Sequence, residues 1–97
     1  MIIVKNLYFQ RSNETYLLIK ENVGTIEEAL TEIASFLERH NYNSYYTRYW
    51  SHNDETTFDV GSWSEFFKLA PADGRFAELV VGTEKNFVDK KVNRDDL

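Results

Sequence analysis

His52 and Asp54, one residue apart with Glu55 adjacent and His40 elsewhere in the chain, come nearest in type to a metal-ligating cluster. In a strand or loop, side chains two positions apart point the same way and could share one ion. Structural metal sites take about four ligands, so the expected role is a solvated hairpin loop. A metal-dependent enzyme built on His52 and Asp54 is the alternative. Ser62 follows Gly61, but Gly61-Ser62-Trp63-Ser64-Glu65 lacks the second glycine of a nucleophile elbow and leads into an apparent strand instead of a helix. Either histidine could activate the hydroxyl; a bulge at Gly61 with Ser62 bonded to local backbone is expected instead. Asp59 and Glu65 are acids of the kind a glycosidase pairs, yet a chain this acidic produces such neighbours by chance. No catalytic residue, metal or cofactor is expected.

Two other constellations point to binding. Tyr42, Tyr45, Tyr46, Tyr49 and Trp50, with Arg48 among them, form a ring-rich run. On a sheet surface such rings can stack bases, but single-strand binders line their grooves with cations and Arg48 stands nearly alone. Half of the rings should turn into the core because strands alternate; the others, with Trp63, would form an exposed aromatic patch of the kind found at protein interfaces. The second constellation is acidic: Glu27, Glu28, Glu32 and Glu38 on a helix, with Asp54, Glu55 and Asp59 on a hairpin. Carboxylates one turn apart are about 6 Å apart along a helix axis, near the spacing of successive phosphates. Such a face could occupy the cleft of a nucleic-acid-binding protein; its plainer role is solvation of a helix.

Composition narrows the class. The chain has 97 residues, long enough for one core and too short for two. Eleven basic residues against sixteen acidic ones give a net charge of -5, which opposes attraction to nucleic-acid backbones. Cysteine is absent, so disulfides play no part in stability, as suits a reducing cytoplasm. No apolar run approaches the roughly 20 residues that span a bilayer, and the N-terminal Met1-Ile2-Ile3-Val4-Lys5 lacks a basic start and a cleavage site. A cytoplasmic, soluble, single domain over 1–97 is expected, with no membrane and no direct nucleic-acid partner.

The elements that must position these residues are organised around Thr25 to Arg39. Ile26, Ala29, Leu30, Ile33, Ala34, Phe36 and Leu37 recur at helical spacing and fall in one sector. Thr25 and Glu28 have the capping-box spacing, Glu27 and Glu28 face the positive end of the dipole, and Arg39 and His40 its negative end. Asn41 is a suitable left-handed terminator.

Around this helix the other apolar stretches read as strands. Residues 2–10 carry apolar side chains on both sides, as an inner strand would, and pair through a polar turn with residues 15–20. Tyr45 to Trp50 and Thr56 to Val60 make a second hairpin around the loop His52-Asn53-Asp54-Glu55. Gly61 marks a bulge or a tight bend before Glu65 to Leu69, and Pro71-Ala72-Asp73-Gly74 is a turn. In the C-terminal part, Phe76, Leu79, Val80, Thr83 and Phe87 fit a helical face, whereas Leu79-Val80-Val81-Gly82 fits a strand ending at glycine. We expect the short strand, followed by an irregular or helical end, with 90–97 frayed.

The segment Asp59-Val60-Gly61-Ser62-Trp63-Ser64-Glu65-Phe66-Phe67 resembles small uncharacterised proteins carried by phages and integrative elements of Gram-positive bacteria, in which a short Asp-x-Gly-Ser stretch runs into an aromatic strand. The resemblance implies a host-interacting accessory protein, a class in which inhibitors of defence nucleases, of the anti-CRISPR kind, are common. It assigns no functional residue.

The sequence therefore predicts an α+β domain, ββαβββ, in which an antiparallel sheet of four to six strands packs on one main helix. Its expected function is protein binding: the module occupies the basic surface of a host nucleic-acid-binding or defence protein, as a DNA mimic does. The contacting residues would be Glu27, Glu28, Glu32, Glu38, Asp54, Glu55, Tyr46, Trp50 and Trp63. A structural protein that self-associates as a homodimer through Tyr46, Trp50 and Trp63 is a further alternative.

Overall fold

The computed structural model describes residues 3–11, 15–42, 46–62 and 65–86. Trp63, residues 43–45, residues 12–14 of the expected first hairpin turn, Phe87 and the frayed end expected at 90–97 lie outside the described residues.

Helix α1 (Ile26–Arg39) forms where its capping signals place it. Thr25 has extended backbone, and its hydroxyl accepts from the Glu28 N–H at 3.1 Å. The Glu28 carboxylate returns to the Gly24 N–H at 3.0 Å, closing the box one residue earlier than the standard pattern. Asn41 takes the left-handed conformation, φ 55°, just after the helix. Ala29, Ile33, Phe36 and Leu37 are buried and Leu30 is half-buried, whereas Ala34 is exposed. The buried stripe is thus narrower than the apolar sector of the sequence.

Six strands make one mixed sheet in the order β3-β4-β5-β1-β2-β6. They are β1 (Lys5–Arg11), β2 (Thr15–Lys20), β3 (Arg48–His52), β4 (Glu55–Asp59), β5 (Phe66–Pro71) and β6 (Val80–Thr83). The fold is α+β, and β1 is an inner strand as its two apolar sides require. Every pairing is antiparallel except one: β6 lies parallel to β2, so the six-stranded sheet is mostly antiparallel with one parallel edge strand. The connection from β5 through a 3₁₀ helix, Arg75–Leu79, carries the chain across β1 and β2 and delivers β6 to the far edge in that direction. Gly61, at φ 90°, turns the chain between two separate paired strands, β4 and β5, instead of bulging a single one.

Both sheet faces carry apolar clusters. On one, Leu7, Phe9, Leu17, Phe58, Phe67 and Leu69 meet the buried stripe of α1, with Phe36 set 5.1 Å from Phe9 and 5.4 Å from Phe67. On the other, Tyr8, Tyr16 and Ala70 are covered by Phe76 of the 3₁₀ helix. An ion-paired tie joins the end of α1 to the residue after β6. Glu84 accepts from Arg39 at 2.8 and 2.9 Å and meets His40 Nε2 at 2.8 Å.

Candidate protein-docking edge

Strand β3 is one of the sheet's two edge strands, with β4 as its one neighbour among the described residues. Its five residues, Arg48-Tyr49-Trp50-Ser51-His52, are all exposed, and Tyr49 and Trp50 each keep 50% of their surface. Of the five rings expected to divide between core and surface, Tyr42 packs against the core and Tyr45 lies outside the described residues, while Tyr46, at 49% exposure, and Tyr49 and Trp50 are all open to solvent, so within the strand the expected division fails. The cause is position, since α1 packs over the middle of the sheet and nothing described covers its β3 margin. The strand also starts later than its propensity suggests, so Tyr46 precedes it and His52 belongs to it.

The hairpin geometry sets which groups point outward. Asn53 and Asp54 form a two-residue turn, with Asn53 at φ 56°, between the paired residues His52 and Glu55. The expected four-residue polar loop is therefore a tight turn closed by two ladder residues. In such a hairpin the closing pair exchanges both backbone bonds and alternate pairs follow suit, so Trp50 and Arg48 also bond to β4. Tyr49 and Ser51 fall at the intervening positions, where side chains approach closely and the N–H and C=O groups point away from the partner strand. The Ser51 hydroxyl lies 2.8 Å from that of Thr56, as such a pair requires. Tyr49 and Ser51 accordingly present their backbone groups at the free edge.

On the face turned away from α1, the β3 side chains are Arg48, Trp50 and His52. Arg48 donates to Asp59 at 2.7 Å and lies 5.1 Å from the Tyr46 ring centroid. Trp50 is paired with Thr57, and Thr57 with Lys68, whose Nζ donates to the Thr57 hydroxyl at 2.9 Å. Burial pushes the Lys68 ammonium below its usual range. Arg75 grips Glu55 through two bonds, 2.7 and 2.9 Å, and stacks on Phe76 at 4.6 Å.

The acidic residues do not form one surface. Glu27, Glu28 and Glu32 line a recess of about 250 Å³ between the start of α1 and the end of β2, together with Lys20, Asn22, Val23 and Thr31. Glu28 is engaged in the cap, and Glu32 lies 4.0 Å from Lys20. Glu38 is exposed near the other end of the helix. Glu55 lies on the opposite side of the sheet with Arg75, and Asp54 is exposed at the hairpin tip. His52, Asp54 and Glu55 line a second recess of about 450 Å³ with Asn53, Pro71, Gly74 and Arg75. Among the described residues no three His, Cys, Asp or Glu side chains are grouped to hold a metal ion. Ser62 donates to the Glu65 carboxylate at 2.7 Å, and His40 is directed to Glu84.

Sequence reasoning identified Trp50 and Tyr46 as exposed rings but left out Tyr49 and Ser51. Their signal, the parity of the turn, becomes readable only once the hairpin is known to close on two residues.

Three carboxyls are held below their usual range: Asp59 by Arg48 and then the Gly61 N–H, Glu55 by Arg75, and Glu84 by Arg39 and then His40. A depressed folded-state pKa contributes stability that is complete above the unfolded value and is lost as pH falls through the folded one. Urea midpoints should thus be flat near neutrality and fall below about pH 4, with a shallower fall in Asp59→Asn. An equal slope in wild type and variant would show that the Arg48 pair contributes nothing.

Among the described residues no helix is long and apolar enough to cross a membrane. Compared with protein families, curated proteins and solved structures, the chain matches none of them.

Proposed function

We propose that the protein is a non-catalytic protein-binding module whose docking element is the open edge of β3, to which a partner segment adds as a further strand. One observation carries this reading: an edge strand with all five residues exposed, two of them large aromatics, in a register that directs the backbone groups of Tyr49 and Ser51 outward. Natural sheets protect such edges with proline, lysine, a bulge or extreme shortness, because an open one recruits other chains. The Arg48–His52 strand has no proline, lysine or bulge, and its one charged side chain, Arg48, is turned onto Asp59. The opposite edge, β6, is a four-residue strand whose Thr83 N–H is capped by the Asn86 side chain at 2.9 Å. In strand addition the backbone supplies affinity and the alternating side chains supply specificity. For the host-interacting accessory protein implied by the 59–67 segment, occupying a partner's surface in this way is the mode of action. The helix acids contribute net charge and solubility in this reading, since those at 27, 28, 32 and 38 lie on α1 while Glu55 lies on the opposite face of the sheet and Asp54 at the hairpin tip.

Ser51→Pro removes an outward N–H and places a ring on the free edge. In affinity capture from the cognate host lysate, this variant should lose the protein that wild type retains, while Glu27→Gln with Glu38→Gln should keep it. Retention by Ser51→Pro together with loss by the glutamine variant would place docking on the helix face instead.

A further inference from the structure

We infer that the segment received by β3 is an extended acidic one, with carboxylates opposite Arg48 and His52 and an apolar side chain against Trp50. This rests on β3 being the docking edge and adds the chemistry of its partner.

The chain holds sixteen acids against eleven bases, yet Arg48-Tyr49-Trp50-Ser51-His52 contains no acid. The side chains that an added strand meets on the face away from α1 are a guanidinium, an indole and an imidazole, in alternation. Cross-strand neighbours on one face are the pairs that stabilise a sheet, and opposite charges are favoured while like charges oppose each other. Arg48 has one nitrogen on Asp59; a guanidinium carries five N–H donors in a planar fork and can serve a second carboxylate. His52 has at least one ring N–H to donate in either charge state. Lys68 lies further in on the same face and adds positive potential behind Trp50, whereas Arg75 there is neutralised by its pair with Glu55. The matching segment therefore reads acid-x-apolar-x-acid, and the x positions meet Tyr49 and Ser51 on the α1 side.

A second copy of the chain fits this edge less well. Antiparallel pairing of β3 with itself, in the register that matches the outward groups of Tyr49 and Ser51, centres on Trp50. It sets Arg48 against His52 of the other copy, with no carboxylate between them. Two chains of net charge -5 also repel. A strand this short spans roughly 17 Å, which suits a peptide better than the roughly 1,200 Å² or more buried by a stable protein pair.

The test uses the full chain, labelled with ¹⁵N, and two capped peptides, Ser-Glu-Thr-Phe-Thr-Glu-Ser and its analogue with lysine in place of both glutamates. The acidic peptide should move the Tyr49 and Ser51 amides and bind about tenfold tighter than the lysine analogue, the ratio expected when Arg48 faces an opposite instead of a like charge and the His52 ring N–H faces an acceptor instead of an ammonium. Added salt should narrow that ratio, and Arg48→Gln with His52→Gln should reduce it to about twofold. Equal or tighter binding of the lysine peptide at the same amides overturns the acidic partner and leaves strand addition standing. Shifts of these amides with protein concentration alone make the occupant a second copy and overturn the inference. If neither peptide moves Tyr49 or Ser51, the inference falls, and the capture result with Ser51→Pro decides whether the docking edge falls with it.

Discussion

Phe36→Ala should destabilise the protein by about 3–5 kcal/mol, the range for truncating a buried phenylalanine in a core that cannot collapse around the cavity. Phe36 has no exposed surface and is enclosed by Phe9 at 5.1 Å, Phe67 at 5.4 Å and His40 at 4.5 Å between ring centroids. It joins α1 to the two central strands β1 and β5, so neither helix nor sheet can move into the space without giving up its own pairing. In a domain of this size each kcal/mol lowers the melting temperature by about 4–8 °C, and the variant should melt more than 10 °C early or fail to fold. Urea unfolding measures the difference. A loss under about 1 kcal/mol would mean that the helix does not seal the sheet at this point.

Proline substitutions in β3 should separate inward from outward backbone. Trp50→Pro removes an N–H that bonds to β4 and leaves a carbonyl on that strand unpaired, at a cost of about 2–3 kcal/mol. Ser51→Pro removes an N–H with no bond to the sheet and costs about 1 kcal/mol, chiefly for the hydroxyl contact with Thr56. The two positions are adjacent, in the same strand and both exposed, so propensity and burial do not predict such a gap; the alternation of the ladder does. Equal losses in urea midpoint would contradict the assigned register.

What was legible in the sequence was what local forces decide. Thr25, Glu28 and Asn41 mark the ends of α1 because caps and left-handed residues act within a few positions, and the structure keeps all three in those roles. The inner position of β1 was readable from apolar residues on both of its sides. The parallel pairing of β6 with β2 was not, because it depends on where Arg75–Leu79 carries the chain and not on any property of Val80–Thr83. Glu84 likewise gives no local sign that it meets Arg39 and His40.

The candidate site divides along the same line. β propensity identified the ring-rich strand but not its neighbours, so the expectation that half of its rings are core failed at Tyr46, Tyr49 and Trp50, where the sheet ends. The acids were grouped by type and by helical spacing. Distribution over both sides of the sheet, and the engagement of Glu55 by Arg75, are tertiary facts that spacing does not contain.

The central claim is that β3 offers outward backbone groups to another chain, and amide hydrogen exchange of the free protein tests it most directly. The account predicts slow exchange at Trp50 and His52, which bond to β4, and exchange near open-chain rates at Tyr49 and Ser51. Protection of Tyr49 and Ser51 equal to that of Trp50 would mean that the edge is already covered, and would contradict it.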